Sequence, residues 1–288
     1  MMRAMGNAVT VFGILGQPVQ HSLSPAMHNA AFAYAGLPYR YFPFEVMPDR
    51  LHTAVAAIVA LGLGGVNVTL PHKEAVVPML DRVENGAARI GAVNTIEVSD
   101  GRLIGHNTDG EGFLRALADE AIHPEGMRVI MLGAGGAALG VTDALLSRGV
   151  AQMIVFSRTA ARTAHLVNRM RQIHPDARIS VGLGDAASAA SSDTMPTLLI
   201  NATPLGLAAD DSLPFPEARL GPGWVVADLV YRPRETPLLR VARQRGAIPV
   251  SGVGMLLHQG ALAFEIWTKR AAPVAVMRAA LQVALGAA

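Results

Sequence analysis

Cysteine is absent from the 288 residues. That excludes disulfides, thiolate catalysis and cysteine-ligated zinc. Lysine is nearly absent too: of 24 basic residues only Lys73 and Lys269 are lysines. Charge of either sign is sparse at 16%, and 24 Lys plus Arg stand against 22 Asp plus Glu. A surplus of two, scattered along the chain, does not point to nucleic acid as a partner. Nine histidines could bind metal, yet no HExxH or similar spacing occurs, so no metal is expected. No uninterrupted apolar stretch reaches bilayer length. The opening MMRAMGNAVTVFGILGQP has too short an apolar run for a signal peptide. A soluble cytoplasmic protein without membrane contact is the expectation. What is abundant is apolar material, 51% of residues, which excludes a disordered tail and suits the cores of two domains.

β-Branched and aromatic runs at 9–15 (VTVFGIL) and 39–46 (YRYFPFEV) read as strands. Between them PAMHNAAFAYAG has helical spacing and stops at Gly36, and 48–62 reads as a helix from Pro48-Asp49 to Gly62. A strand GGVNVTLP, a helix beginning near Lys73, and a hairpin turning at Asp100-Gly101 complete a mostly parallel α/β unit. From about 112 a second unit begins with the helix GFLRALADEA. Strands are expected at 128–132, 152–157, 178–182, 198–201 and 224–229, with helices at 137–148 and 159–173, the rhythm of a doubly wound sheet. The small, polar segment 184–196 reads as a surface connection. Apolar helices at roughly 254–268 and 273–285 close the chain.

MLGAGGAALG places Gly133, Gly135 and Ala138 in a G-x-G-x-x-A pattern, after a strand and opening a helix. The pattern serves a tight turn, close backbone approach to a diphosphate, and close helix–strand packing. The helix N-terminus then presents N–H groups to the anion. Which dinucleotide is decided one strand later. NAD enzymes usually end that strand in Asp or Glu; here Ser157, Arg158 and Thr159 follow it, with Arg162 one turn into the next helix. Two guanidinium groups and two hydroxyls suit a 2′-phosphate, hence NADP. The alternative is that Arg158 and Arg162 are solvated surface charges in an Arg-rich chain.

Four polar clusters fall at expected strand ends. HSLSPAMHN carries Ser22 and Ser24, GVNVTLPHK carries Asn67, Thr69 and Lys73, GAVNT carries Asn94 and Thr95, and GHNTDG carries Asn107 and Asp109. Each admits a local reading: Ser24 or Asp109 as helix caps, Asn94 as a turn residue. Together they offer hydroxyl, amide, ammonium and carboxylate groups to a ligand bearing several hydroxyls and a carboxylate. Lys73 stands out because arginine keeps its proton whereas lysine can release it. Genome base composition accounts for the arginine bias itself.

With GAGGAA, SRT, NATPLG, TPLL and GMLLHQGALAFEIW following in order, these motifs resemble shikimate dehydrogenase from end to end. The resemblance implies a substrate domain over 1–112 joined by helices of 251–288, a Rossmann-type domain over 113–250, and a cleft between them. It implies reversible reduction of 3-dehydroshikimate to shikimate with NADPH, on the route to chorismate and the aromatic amino acids. Ser22 and Ser24 match the family's carboxylate-binding serines. Asn67, Thr69, Asn94 and Asp109 match its ring-hydroxyl contacts, joined by Tyr231 and Gln259. Lys73 and Asp109 match its catalytic pair, with Asp109 holding Lys73 and the substrate hydroxyl in place. Gly133, Ala134, Gly135, Gly136 and Ala137 match its diphosphate turn, Ser157, Arg158, Thr159 and Arg162 the adenosine-phosphate side, and Thr203, Leu229, Gly252 and Met255 the nicotinamide side. A homodimer is part of the same expectation. Ser157 departs from the family's usual Asn, and His72 stands where Phe is frequent. His72 and His106 read as spacers or surface histidines. The alternatives are a broader quinate/shikimate dehydrogenase using NAD or NADP, and a dinucleotide-sensing regulator without turnover.

Overall fold

Strands buried on both faces need unbroken apolar runs, and the chain supplies them twice. RVIML and TLLIN are buried at every position, and TVFGILG at five of seven. The computed structural model describes residues 9–184, 186–189, 195–208 and 210–286. The opening residues 1–8 and part of the 184–196 connection lie outside them. The chain divides into two units, one of residues up to Thr108 plus Gln259–Ala288, the other Asp109–His258.

The first unit runs β1 (Thr10–Gly16), α1 (Ser24–Tyr34), β2 (Tyr39–Glu45), α2 (Leu51–Ala60), β3 (Gly65–Val68), β4 (Arg82–Val83), α3 (Asn85–Ile90), β5 (Thr95–Ser99) and β6 (Arg102–His106). These strands form one mixed sheet in the order β2-β1-β3-β5-β6-β4. β1 is parallel to β2 and β3, whereas β5 runs antiparallel to β3 and β6. The β5–β6 hairpin turns on Asp100 and Gly101, both with positive φ (49° and 74°), as a two-residue primed turn requires. Leu15, Val55, Ile58, Val66, Val68, Val93 and Ile96 pack into the core on which α2 lies. No helix begins near Lys73: the chain makes turns there and one 3₁₀ turn at Val77–Met79. Pro78 is the reason. Inside an α-helix it would remove an N–H donor and clash with the carbonyl four residues back.

The second unit runs α4 (Asp109–Asp119), β7 (Arg128–Leu132), α5 (Gly136–Ser147), β8 (Gln152–Phe156), α6 (Ala160–Ile173), β9 (Ile179–Val181), β10 (Thr197–Asn201), β11 (Trp224–Asp228), α7 (Pro237–Gln244) and β12 (Ile248–Ser251). Its sheet has the order β12-β11-β10-β7-β8-β9, parallel throughout. Counted from β7 this is the 3-2-1-4-5-6 doubly wound arrangement, which binds ligands at strand C-termini where the order reverses. α7 starts on a full cap: Thr236 accepts from the Leu239 N–H, and Pro237 needs no donor at the first turn. α8 (Gly252–Thr268) begins in this unit and ends in the first, where α9 (Val274–Gly286) packs on α1. No helix among the described residues is long and apolar enough to cross a membrane.

Candidate functional site

In the first unit the polar clusters share one edge of the sheet. β1 and β3 are parallel, so the loops after Gly16 and Val68 leave on the same side. β5 opposes β3, so Asn94 and Thr95 at its start lie there too, and β6 returns Asn107 and Thr108 to that edge. The loops are tied to each other. Gln17 donates its N–H to the Leu70 carbonyl (2.9 Å), and a Cβ on Gly16 would lie 2.3 Å from the Thr69 methyl. The Lys73 carbonyl accepts from the Val93 N–H at 2.8 Å, fixing the Lys73 backbone beside Asn94. Lys73 and Thr69 are half-buried.

Asn67 and Asn94 are 4% and 2% exposed and belong to one network. Asn67 Nδ2 donates to the Asn94 carbonyl (3.1 Å) and to Thr95 Oγ1 (3.0 Å), and Asn67 Oδ1 accepts from the Tyr41 hydroxyl (2.7 Å). Asn94 Oδ1 accepts from the Thr108 N–H at 2.9 Å, and Asn94 Nδ2 donates to Thr108 Oγ1 at 2.9 Å. Thr108 Oγ1 also lies 3.0 Å from the Gln259 carbonyl, its acceptor on α8. Ser24 is not a cap. It is buried as the first residue of α1, whose N-cap Leu23 makes no side-chain bond, and its N–H donates to Ser22 Oγ at 3.3 Å. His72 is not at the surface. It is 1% exposed with Nε2 2.7 Å from the Val46 carbonyl, so it pins the loop after β2. His106 is half-buried, 3.1 Å from Glu97 Oε2; burial lowers its pKa, opposed by Glu97 and Glu84. Among the described residues no group of three His, Asp or Glu is placed to hold a metal.

In the second unit Asp109 opens α4 and is buried. The turn after β7 tests whether a dinucleotide fits. Gly133 is demanded by the fold, since its φ is 107° and a Cβ would meet the Ala202 carbonyl at 2.7 Å. Gly135 is not: its backbone is extended, and a Cβ would meet nothing within 4 Å. The space a side chain would fill lies open at the α5 N-terminus, where no side chain caps the first N–H groups. A diphosphate satisfies both features. After β8, the Ser157 hydroxyl lies 2.6 Å from Thr163 Oγ1 and accepts from the Thr159 N–H at 3.3 Å, so it shapes the loop. Arg158, Thr159 and Arg162 are exposed around it, with no carboxylate at the strand end. This donor set fits a 2′-phosphate.

The ends of β10 and β11 carry a buried network that sequence reading missed. Asn201 Nδ2 donates to Leu205 O (3.0 Å) and Asp228 Oδ1 (2.9 Å); its Oδ1 accepts from Thr203 N (3.1 Å) and Thr203 Oγ1 (2.6 Å). Asp228 accepts further from the Thr236 hydroxyl (2.6 Å) and the Val230 N–H (3.1 Å). Burial raises its pKa from 3.8 to about 6, against the lowering pull of these donors. The network fixes the loops carrying Thr203, Leu229 and Tyr231. Leu229 donates its N–H to the Asn201 carbonyl, and Gly252 packs so closely that a Cβ would lie 2.6 Å from the Leu229 carbonyl. Met255, one turn into α8, is buried. An Asn and an Asp ending neighbouring apolar strands, LLIN and WVVAD, were the available signal. Tyr41 gave none, lying in an aromatic-rich strand.

Comparison with known proteins agrees along the chain. Residues 14–96 match the shikimate dehydrogenase substrate binding domain, 116–190 the shikimate/quinate 5-dehydrogenase family, and 252–282 the shikimate 5′-dehydrogenase C-terminal domain. A shikimate dehydrogenase (NADP(+)) of Moorella thermoacetica is 48% identical over 275 residues, 95% of this chain and 93% of the relative. The crystal structure of shikimate 5-dehydrogenase from Thermus thermophilus with NADP(H) and shikimate superposes with a TM-score of 0.84 at 37% identity, covering 96% of this chain and 100% of that one. A quinate dehydrogenase from Corynebacterium glutamicum in complex with NAD gives a TM-score of 0.86 at 31% identity, with 96% and 100% coverage.

Proposed function

Because the chain belongs to the shikimate dehydrogenase family, we propose that it reduces 3-dehydroshikimate reversibly to shikimate with NADPH, on the route to chorismate. The observation that carries this reading is the gathering of hydroxyl, amide and ammonium groups on one edge of the first sheet. The first unit takes the substrate. Ser22 and Ser24 bind its carboxylate, and Asn67, Thr69 and Asn94, with Tyr231 and Gln259, meet its ring hydroxyls. The second unit holds NADP. The backbone of 133–137 binds the diphosphate, Arg158 and Arg162 with Ser157 and Thr159 bind the 2′-phosphate, and Thr203, Leu229, Gly252 and Met255 flank the nicotinamide.

When bound, NADPH supplies the hydride. Lys73 gives a proton from Nζ to the developing alkoxide in reduction, and takes the hydroxyl proton in oxidation. Asp109 accepts a hydrogen bond from the reacting hydroxyl and orients it.

Initial rates with shikimate and quinate, each with NADP and NAD, test the proposal. Shikimate with NADP should give the highest kcat/KM. Faster turnover of quinate with NAD would replace the reading with a broader dehydrogenase, and dinucleotide binding without turnover would replace it with a regulator. A cytoplasmic homodimer belongs to the same proposal and rests on the family alone. Sedimentation at the mass of a single chain would overturn the dimer, and activity recovered outside the cytoplasmic fraction would overturn the location.

A further inference from the structure

The His28-Asn29 pair on α1 grips one residue of the neighbouring strand from two sides. Asn29 Oδ1 accepts from the Tyr41 N–H at 2.8 Å, and Asn29 Nδ2 donates to the Tyr41 carbonyl at 3.0 Å. His28 stacks on the Tyr41 ring, with centroids 4.5 Å apart and planes 11° from parallel. Both rings are essentially inaccessible to solvent, and Trp267 packs against each, at 5.3 Å from His28 and 6.1 Å from Tyr41. Neither ring nitrogen of His28 has a hydrogen-bond partner among the described residues. A buried polar ring without partners demands a reason. Here it is packing: the rings of Tyr41, Trp267 and Phe32 surround it, with centroids 4.5, 5.3 and 6.0 Å away. Backbone clamp and ring stack together hold the ring whose hydroxyl donates to Asn67 Oδ1.

An asparagine side chain has two donors and two acceptor positions. Asn67 spends both donors, on the Asn94 carbonyl and Thr95 Oγ1, and one acceptor position on Tyr41. One lone pair of Oδ1 remains among the described residues. Turning the amide over would set its oxygen against the Asn94 carbonyl, and the Tyr41 donor would lose its acceptor. We infer that Tyr41, held by His28 and Asn29, is a positioning residue that fixes the Asn67 amide, so that Asn67 meets a substrate hydroxyl only as an acceptor. Specificity follows: a ring position carrying O–H in the substrate is accepted, whereas a carbonyl or ether there would face a lone pair. The inference rests on the proposed role of Asn67 in substrate binding.

The test is Tyr41→Phe, which keeps the ring stack and removes one O–H. One hydrogen bond of ordinary strength corresponds to a rise in shikimate KM of roughly three- to tenfold. The KM for NADP should stay within about twofold of wild type and kcat should fall far less than KM rises, a split that loosened folding would not give. In an Asn67→Ala background Tyr41→Phe should change nothing further, because its partner is gone. An unchanged shikimate KM in Tyr41→Phe, or effects that multiply in the double variant, overturns the inference while leaving the activity in place. Wild-type protein that neither binds shikimate by calorimetry nor turns it over overturns the functional reading first, and the inference with it.

Discussion

Lys73 is one of two lysines in a chain that otherwise uses arginine, and its backbone is tied to the strand segment that presents Asn94. The proposed mechanism asks for a group there that both holds and releases a proton, which lysine can do and arginine cannot. Lys73→Ala should lower kcat by about 10²–10⁴, the usual cost of losing a positioned acid–base group, with a much smaller change in shikimate KM. Lys73→Arg keeps the charge but not the proton transfer, and steady-state rates should find it almost as slow. Near-normal kcat in Lys73→Arg would mean that positive charge alone suffices. The polar residue types of the candidate site were legible because they interrupt apolar strands at their ends. The residues that hold them were not. Tyr41, Thr108 and Asp228 act through partners 26, 14 and 27 positions away, which no local pattern encodes.

Among elements, the β8–α6 loop is where the proposed function puts the choice of cofactor. Its Ser157 hydroxyl bonds to Thr163 of α6, and Arg158 in the loop and Arg162 at the start of α6 are exposed. Since a charged hydrogen bond is worth about 1.5–3 kcal/mol, Arg158→Ala should raise the KM for NADP by about tenfold or more and leave NAD kinetics nearly unchanged. Equal losses with both dinucleotides would reassign Arg158 to folding. The central parallel strands were legible as short apolar runs, the one at 128–132 bounded by glycines. β12 was not, because Pro249 interrupts it, and the structure places it at the edge of the sheet, where a missing N–H is tolerated. α7 carries its signature, Thr-Pro at its start, but the helix is only eight residues long, too short for periodicity to declare itself. The helix expected near Lys73 failed on Pro78, and the turns in its place leave Lys73 half-buried at the sheet edge.

For the whole molecule, two buried groups give stability a pH dependence of opposite sign. Burial lowers His28 from 6.5 to about 3, so the unfolded chain takes up a proton below about pH 6.5 that the folded one refuses. Stability falls as pH drops, by about 2 kcal/mol between pH 7 and 5 from this group. Asp228 is raised from 3.8 to about 6, so the folded state keeps its proton longer. Its contribution is full below about pH 4 and is lost as pH rises through about 6, on the order of 3 kcal/mol in all. Urea unfolding from pH 4.5 to 8 separates them. Asp228→Asn should gain on wild type as pH rises, and His28→Gln should gain as pH falls. A stability difference that ignores pH in either variant would show that the group titrates alike in both states.

The first unit is not contiguous: it needs residues up to Thr108 and also those from Gln259 onward. Trp267, on α8, donates to the Ile96 carbonyl at 3.0 Å and packs on Phe12, and α9 lies along α1. These partners leave the ribosome after the whole of the second unit. The second unit, Asp109–His258, is complete before them and can fold while synthesis continues. The first unit therefore waits, with an exposed apolar face, until α8 and α9 have been made. A chain stalled shortly after His258 should hold a protease-resistant second unit behind an N-terminal segment that proteases still cut.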